Sequence, residues 1–302
     1  MWGNMLVKHA LKLAAAYASA ASAFLGSNST GKRACIFNYH RVSELGCVDL
    51  AIDSWNVSPK RFAIHARWLA QNAECVSLQT LPNRVQFMPG GRPLVALTFD
   101  DGFANFRHYV LPSLERYGIP ATLFVVTKFI GSVNPYPFDR WGQRNSGRAP
   151  LLSWRPITWQ ELEECLKSGL VSIGSHSHTH PHAVECSHEQ LLEEAVVSGD
   201  ILRRGLGLEQ GREYSYPYGL SRHGDVTCAY MHALRTADYR TAVTTNLGLV
   251  DAAADSLALP RVEVTGQDLA ASIRAKAMGY LGSSRLLDHL RHARVKNNTA
   301  PQ

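Results

Sequence analysis

The sequence predicts an α/β domain, and three observations carry that reading. Short apolar runs alternate with amphipathic stretches along most of the 302 residues, the pattern of strands and helices in turn. The amphipathic stretches open on recognisable helix-start signals. Pro/Gly clusters punctuate the joins. An apolar fraction of 45% with 19% charged residues belongs to a chain that builds a core, which excludes a disordered protein. The length allows one large domain or two ordinary ones.

The elements follow in order. Lys8 and Lys12 precede an Ala-rich stretch at 13–25, and Ala21-Ser22-Ala23 has the form of a signal-peptide cleavage site. That stretch is weakly hydrophobic, holds Tyr17, Ser19 and Ser22, and is too short to span a bilayer. Segment 1–30 is therefore read as a basic amphipathic surface helix that touches core or membrane. A cytoplasmic or membrane-peripheral location is the expectation, with export as the alternative. Strands are expected at 34–39, 94–99, 121–127, 171–175, 214–216, 241–244 and 257–264. Ser58-Pro59 offers an N-cap and a proline at the first helical position, ahead of Phe62, Ala66 and Leu69. Phe106, Tyr109, Val110, Leu114 and Tyr117 recur at helical spacing until Gly118 and Pro120 stop them. Thr158-x-x-Glu161 and Ser187-x-x-Gln190 read as capping boxes. Segments 89–93 and 134–150 are loops, the second long enough to be functional or disordered. Its Tyr136, Phe138 and Trp141 either form a lip that stacks on sugar rings or anchor the loop. The simplest partition is one domain over 31–285 between the segment 1–30 and a basic tail, 286–302.

The net charge of +6 suits a polyanionic glycan, an acidic membrane surface or nucleic acid alike. Long Lys/Arg runs are absent; Lys32-Arg33 and the stretch 291–296 read as solvated charge, so no nucleic-acid partner is expected. Cysteines at 35, 47, 75, 165, 186 and 228 contain no C-x-x-C. They form neither a disulfide framework nor a zinc knuckle, and read as reduced, mostly buried thiols that lean toward a reducing compartment.

Chemistry concentrates in three places. Residues 94–102, LVALTFDDG, are an apolar strand ending in Asp100, Asp101 and a glycine. Ligands of α/β folds bind at strand C-termini, and adjacent carboxylates there persist most easily around a cation or proton. The plainer reading is an Asp-Gly turn. Residues 171–181, VSIGSHSHTHP, run from a strand into His176, His178 and His180. Neutral imidazole is the commonest metal ligand, and the H-x-x-x-H spacing lets two rings share an ion while His178 points elsewhere. One carboxylate with two histidines is the ligand set of a catalytic zinc, with positions left for water and substrate. Residues 214–219, YSYPYG, form a turn stiffened by Pro217, whose N–H groups could face a ligand.

Together these motifs resemble the polysaccharide deacetylase superfamily, the NodB-homology group of carbohydrate esterase family 4. T-F-D-D-G at 98–102 resembles its first motif, H-S-x-x-H at 176–180 its second, and Y-P-Y-G at 216–219, more loosely, its third. N-Y-H-R-V at 38–42 and Leu259-Pro260-Arg261 resemble the opening and closing strands of the branch that includes poly-N-acetylglucosamine deacetylases. The resemblance covers roughly residues 34–264. It implies a distorted (β/α) barrel of about seven strands with an open metal site at the strand C-terminal rim. It further implies that Asp101, His176 and His180 bind a divalent metal, usually zinc, and that Asp100 is the general base toward the attacking water. The turn Tyr216-Pro217-Tyr218 would bind substrate, the Tyr218 N–H helping to hold the oxyanion.

The sequence departs from the family at two points. Where the third motif often carries an arginine that pins the base, this chain has Ser215. Arg261 is the candidate replacement, with a surface arginine as the alternative; in the first role it should matter for turnover more than for folding. The closing strand also lacks the histidine that commonly serves as general acid. His40 is the natural substitute, because amide cleavage needs a proton on the departing nitrogen and histidine titrates near neutrality. The alternative for His40 is a backbone-bonded histidine at a strand end; His182 and His223 are further candidates for the acid. The activity so implied is N-deacetylation of an N-acetylated glycan. Deformylation or deacetylation of a lipid-linked sugar is the alternative within hydrolases, and a glycan-binding pseudoenzyme the alternative outside them.

Overall fold

Period-two alternation within the strands sorts their side chains into two groups, and this sorting places the site. The computed structural model describes residues 33–45, 55–87, 91–208 and 213–281. Segment 1–30, expected as a surface helix, and the tail 286–302 lie outside the described residues. Among the described residues the strands are β1 Ala34–Tyr39, β2 Arg41–Val42, β3 Asn56–Val57, β4 Glu74–Cys75, β5 Leu94–Phe99, β6 Ala121–Val125, β7 Val171–Ser175, β8 Glu213–Ser215, β9 Thr241–Leu247 and β10 Leu259–Glu263. Seven of them form a closed parallel barrel in the order β1-β10-β9-β8-β7-β6-β5, with β5 pairing back onto β1 from Ala34↔Leu94 to Tyr39↔Phe99. β4 adds to the start of β5, where β6 has not yet begun to pair. Among the described residues no helix is long and apolar enough to cross a membrane.

Alternate residues of each strand face outward or inward. Cys35, Phe37 and Tyr39 of β1, Val95, Leu97 and Phe99 of β5, and Leu123 and Val125 of β6 pack outward against helix residues such as Phe62, Ala66, Leu69, Leu114 and Leu162. The intervening Ala34 and Ile36, Leu94 and Ala96, with Phe124, Val243 and Leu259, fill the barrel. Continued up the same inward face, the series passes to Asn38 and His40 on one strand and to Thr98 and Asp100 on its neighbour. The barrel interior thus turns from apolar to polar toward the C-terminal rim.

The helices begin where the sequence signals them. Ser58 caps Pro59–Asn72 through Arg61 N–H, and the boxes Thr158/Glu161 and Ser187/Gln190 both close, on Trp159–Lys167 and His188–Leu206. The expected helix from Phe106 is less regular: a π-helical stretch Phe106–Val110 leads into an α-helix Leu111–Tyr117. Pro112 has no N–H to give to the previous turn, which accounts for the change of ladder. Gly118 ends the helix in the left-handed conformation (φ 63°). The strands expected at 34–39, 94–99 and 171–175 form with those ends, the other four shift by one to three residues at one or both ends, and β2, β3 and β4, each two residues long, are too short for periodicity to reveal. The loop 134–150 is ordered, with a short helix Arg140–Asn145.

Candidate active site

Asp100 follows β5, His176 follows β7, His40 follows β1, and Arg261 lies within β10, so all four meet at the C-terminal rim. Among the described residues, four of the five non-glycine residues with positive φ are here as well: Asp101 (72°), Ser177 (65°), His180 (64°) and Tyr218 (59°). Left-handed backbone costs an ordinary residue of the order of 1–3 kcal/mol and persists where surrounding structure imposes it. Gly102 (φ 77°) follows, and a Cβ there would come within 2.8 Å of Val125. Only glycine lets the turn pass β6, and so aims Asp101 at the histidines.

Asp101, His176 and His180 each offer one ligand atom, all within 4.8 Å of one another. Asp101 Oδ1 lies 3.5 Å from His176 Nε2 and 3.9 Å from His180 Nε2. Ligands about 2.1 Å from a tetrahedral ion stand roughly 3.4 Å apart, so this donor set fits a divalent metal. His176 Nδ1–H donates to Ser215 O at 2.7 Å, which leaves Nε2 as the ligand atom. Burial, reinforced by His176, pushes His180 down to about 3 and keeps it a neutral donor. Burial alone would raise the Asp101 carboxyl, but its hydrogen bond with His176, aided by the neighbouring imidazoles, holds it low. The turn between the histidines is fixed from outside. Glu194, in the helix His188–Leu206, accepts the N–H groups of His178 and Thr179 at 2.8 Å each and the Thr179 hydroxyl at 2.6 Å. His178 points away, bonded to Thr127 Oγ1 at 2.9 Å.

Asp100 is 2% exposed and Arg261 1%. The guanidinium forks onto both carboxylate oxygens, Nη1 to Oδ1 at 2.8 Å and Nη2 to Oδ2 at 2.7 Å. It also reaches Thr98 Oγ1, Ser215 Oγ and Thr244 O. The surface-arginine alternative is thereby set aside, and Ser215, where an arginine was expected, receives a hydrogen bond from Arg261 instead. Burial pushes the Asp100 carboxyl up, but Arg261, with His176 and His40, outweighs it and holds the group far below the ordinary carboxylate range. His40 Nε2 stands 4.0 Å from Asp100 Oδ2. Its ring packs under Trp55 (centroids 4.5 Å apart), and its Nδ1 is buried without a hydrogen-bond partner among the described residues.

These groups line a cleft of about 910 Å³, bounded by Trp55, Phe103, Phe138, Asp139, Arg140 and Trp141 on one part of its wall and by His182, Val184, Tyr218, Leu220, Arg222, His223 and Asp225 on another. Tyr218 is 38% exposed; its ring stacks on His182 (3.5 Å, 8°) and meets His180 edge-on. The rest of its turn packs its side chains away from solvent. Tyr216 borders the cleft, but its ring is fully buried and its hydroxyl donates to Leu257 O in the core. Pro217 is buried and accepts the Gly219 N–H at 2.6 Å. The alternation that points Ser215 into the barrel turns the Tyr216 ring outward. In the long loop, Tyr136 and Trp141 are buried anchors and Phe138 alone of the three is partly open, stacked on His180. Trp55, Arg41, Asp139, Glu194 and Asp225 were not singled out by sequence. Arg41 sits in the two-residue strand β2, and the others reach the site from loops or a helix whose spacing carries no sign of it.

Comparison with known proteins gives the family. The family model for polysaccharide deacetylase matches residues 88–240, just over half the chain. The poly-beta-1,6-N-acetyl-D-glucosamine N-deacetylase of Staphylococcus epidermidis is 25% identical over 252 residues, spanning 77% of this chain and 79% of that protein. Among solved structures, the Streptococcus pyogenes deacetylase PplD in complex with acetate matches with a TM-score of 0.65 at 21% identity, over 80% of this chain and 96% of that one. IcaB from Ammonifex degensii matches with a TM-score of 0.64 at 22% identity, over 84% and 100%. These two structures share the barrel fold. With the matched family model and the rim residues described above, the chain belongs to the polysaccharide deacetylase family.

Proposed function

We propose that this enzyme hydrolyses N-acetyl groups from N-acetylglucosamine units of a polysaccharide, with Asp101, His176 and His180 holding a divalent metal, zinc by the chemistry of the donors. The observation that carries the reading is the pairing, at one cleft, of a three-ligand cluster with a buried carboxylate locked by Arg261. The ion, when bound, supplies Lewis-acid polarisation of the amide carbonyl and acidifies water. Asp100, held ionised and fixed by two hydrogen bonds from Arg261, accepts a proton from the attacking water. The Tyr218 N–H, in its strained turn, helps hold the oxyanion. His40 donates a proton to the departing nitrogen as the C–N bond breaks, releasing a free amine and acetic acid, which keeps the second proton of the water and ionises to acetate in solution. Asp100 then holds one proton too many and His40 one too few. At a separation of 4.0 Å, one bridging water would carry that proton from Asp100 to His40 and reset both. The name of the Staphylococcus epidermidis relative supports an N-acetylglucosamine polymer.

The test is acetate release by the metal-replete protein from β-1,6-linked N-acetylglucosamine oligomers, with a lipid-linked N-acetyl sugar and an O-acetylated xylan alongside. Release from the first substrate is expected. Release only from the lipid-linked sugar would replace the polymer reading, and release from none would leave a binding protein.

A further inference from the structure

The two metal-ligand histidines are held in different ways. His176 has the usual outer partner, a hydrogen bond from Nδ1–H to Ser215 O. The Nδ1 of His180 is buried and, among the described residues, has no hydrogen-bond partner. Its ring is instead covered by flat contacts: Phe138 lies parallel to it (centroids 3.8 Å, 17°), and Tyr218 closes the other approach edge-on (4.8 Å, 67°).

Phe138 is itself fixed. It stacks on Tyr136 (4.9 Å, 21°), and the buried Tyr136 hydroxyl bridges the carbonyls of Asp101 and Gly102 at 2.7 and 2.9 Å. The next residue, Asp139, is tied to the buried Arg41 (2.6 Å) and caps the following helix through Gly142 N–H. Tyr136 thus grips the turn that carries one ligand while Phe138 presses on the ring of another.

We infer that Phe138 is a positioning residue for His180, taking by ring stacking the part that a hydrogen bond takes for His176. Without the stack, the His180 ring is free to rotate about its side-chain bonds, because no hydrogen bond holds Nδ1. A ligand that must be ordered on binding lowers affinity for the ion. The inference rests on the proposed metal role of Asp101, His176 and His180.

The test titrates Zn²⁺ alone, in competition with a chromophoric chelator, into metal-stripped wild type and into Phe138→Ala, Phe138→Leu, Phe138→Tyr and His180→Ala. Phe138→Ala and Phe138→Leu should weaken Zn²⁺ binding by roughly ten- to a hundredfold, the span outer partners of metal ligands command. Phe138→Tyr, which keeps a flat ring, should stay within about threefold of wild type, and the stripped Ala and Leu variants should still unfold in one cooperative transition, lowered by about 1–6 °C for the lost ring contacts. Excess metal should restore kcat in Phe138→Leu. Wild-type Zn²⁺ affinity in both Phe138→Ala and Phe138→Leu, with binding lost in His180→Ala, would overturn this inference alone. Unchanged affinity in His180→Ala would overturn the ligand set and the inference with it.

Discussion

Replacing Arg261 separates its roles in folding and turnover. The guanidinium makes five hydrogen bonds, two of them to a carboxylate that is 2% exposed. Arg261→Met keeps the apolar stem but leaves Asp100 as an uncompensated buried charge, which costs about 3–5 kcal/mol. At roughly 2–4 °C per kcal/mol for a domain of this size, the unfolding midpoint should fall by about 6–20 °C. The sequence-based expectation that Arg261 matters more for turnover than for folding is therefore revised: its burial makes it matter for both. Catalytically, Asp100 loses the fork that orients it, and kcat/KM should fall by on the order of 10²–10⁴, the contribution of a placed acid–base group. Arg261→Lys keeps charge without the fork, and should lie between. The double variant Asp100→Asn/Arg261→Met removes the stranded charge and should be more stable than the sum of the single effects by more than about 1 kcal/mol. Thermal unfolding of metal-free and metal-loaded protein measures the first quantity, and acetate release the second. A wild-type midpoint and kcat/KM in Arg261→Met, or strict additivity in the double variant, would refute the argument.

Three further outcomes are expected. Asp101→Ala, His176→Ala and His180→Ala should each lose metal and activity, whereas Asp100→Asn should keep its metal and lose roughly a hundredfold or more in turnover; elemental analysis after dialysis separates the two classes. His40→Ala should keep fold and metal yet lose about two to four orders of magnitude in kcat, and wild-type kcat would remove it as the proton donor. Glu213, at the start of β8, is pushed by burial up to about 7 against hydrogen bonds from Ser172 and Thr122. A carboxyl raised in the fold keeps its proton where the unfolded chain has lost it, so its effect is to lower stability as pH rises from about 4.5 to about 7. The loss is on the order of 3 kcal/mol. Glu213→Gln should therefore match wild type near pH 4.5 and exceed it in thermal stability at pH 8; an equal difference at both pH values would contradict this.

Sequence alone determined the parts of this protein that are local. Barrel strands declare themselves because period-two alternation and apolar runs are properties of consecutive residues, and helix starts because Ser58, Thr158 and Ser187 satisfy N–H groups within three residues. Asp100, Asp101, His176 and His180 were legible for the same reason: each stands directly after an apolar strand or in the short turn beyond it. Tertiary structure decided whatever depends on residues far apart meeting. That Arg261 reaches Asp100 across 161 positions follows from β10, β1 and β5 being neighbours in a closed barrel, which no local pattern records. Glu194 shaping the histidine turn, Phe138 lying on His180 and Trp55 covering His40 likewise follow from how loops and helices pack over the rim. Tyr216 shows the limit from the other side. The turn motif gives its place at the cleft, which it borders, but not that the two-residue alternation aiming Ser215 into the barrel sends the Tyr216 ring to the core, where its hydroxyl finds Leu257 O. A motif specifies which residues are adjacent, whereas the direction each side chain faces is set by the strand it leaves and by what is packed on either side.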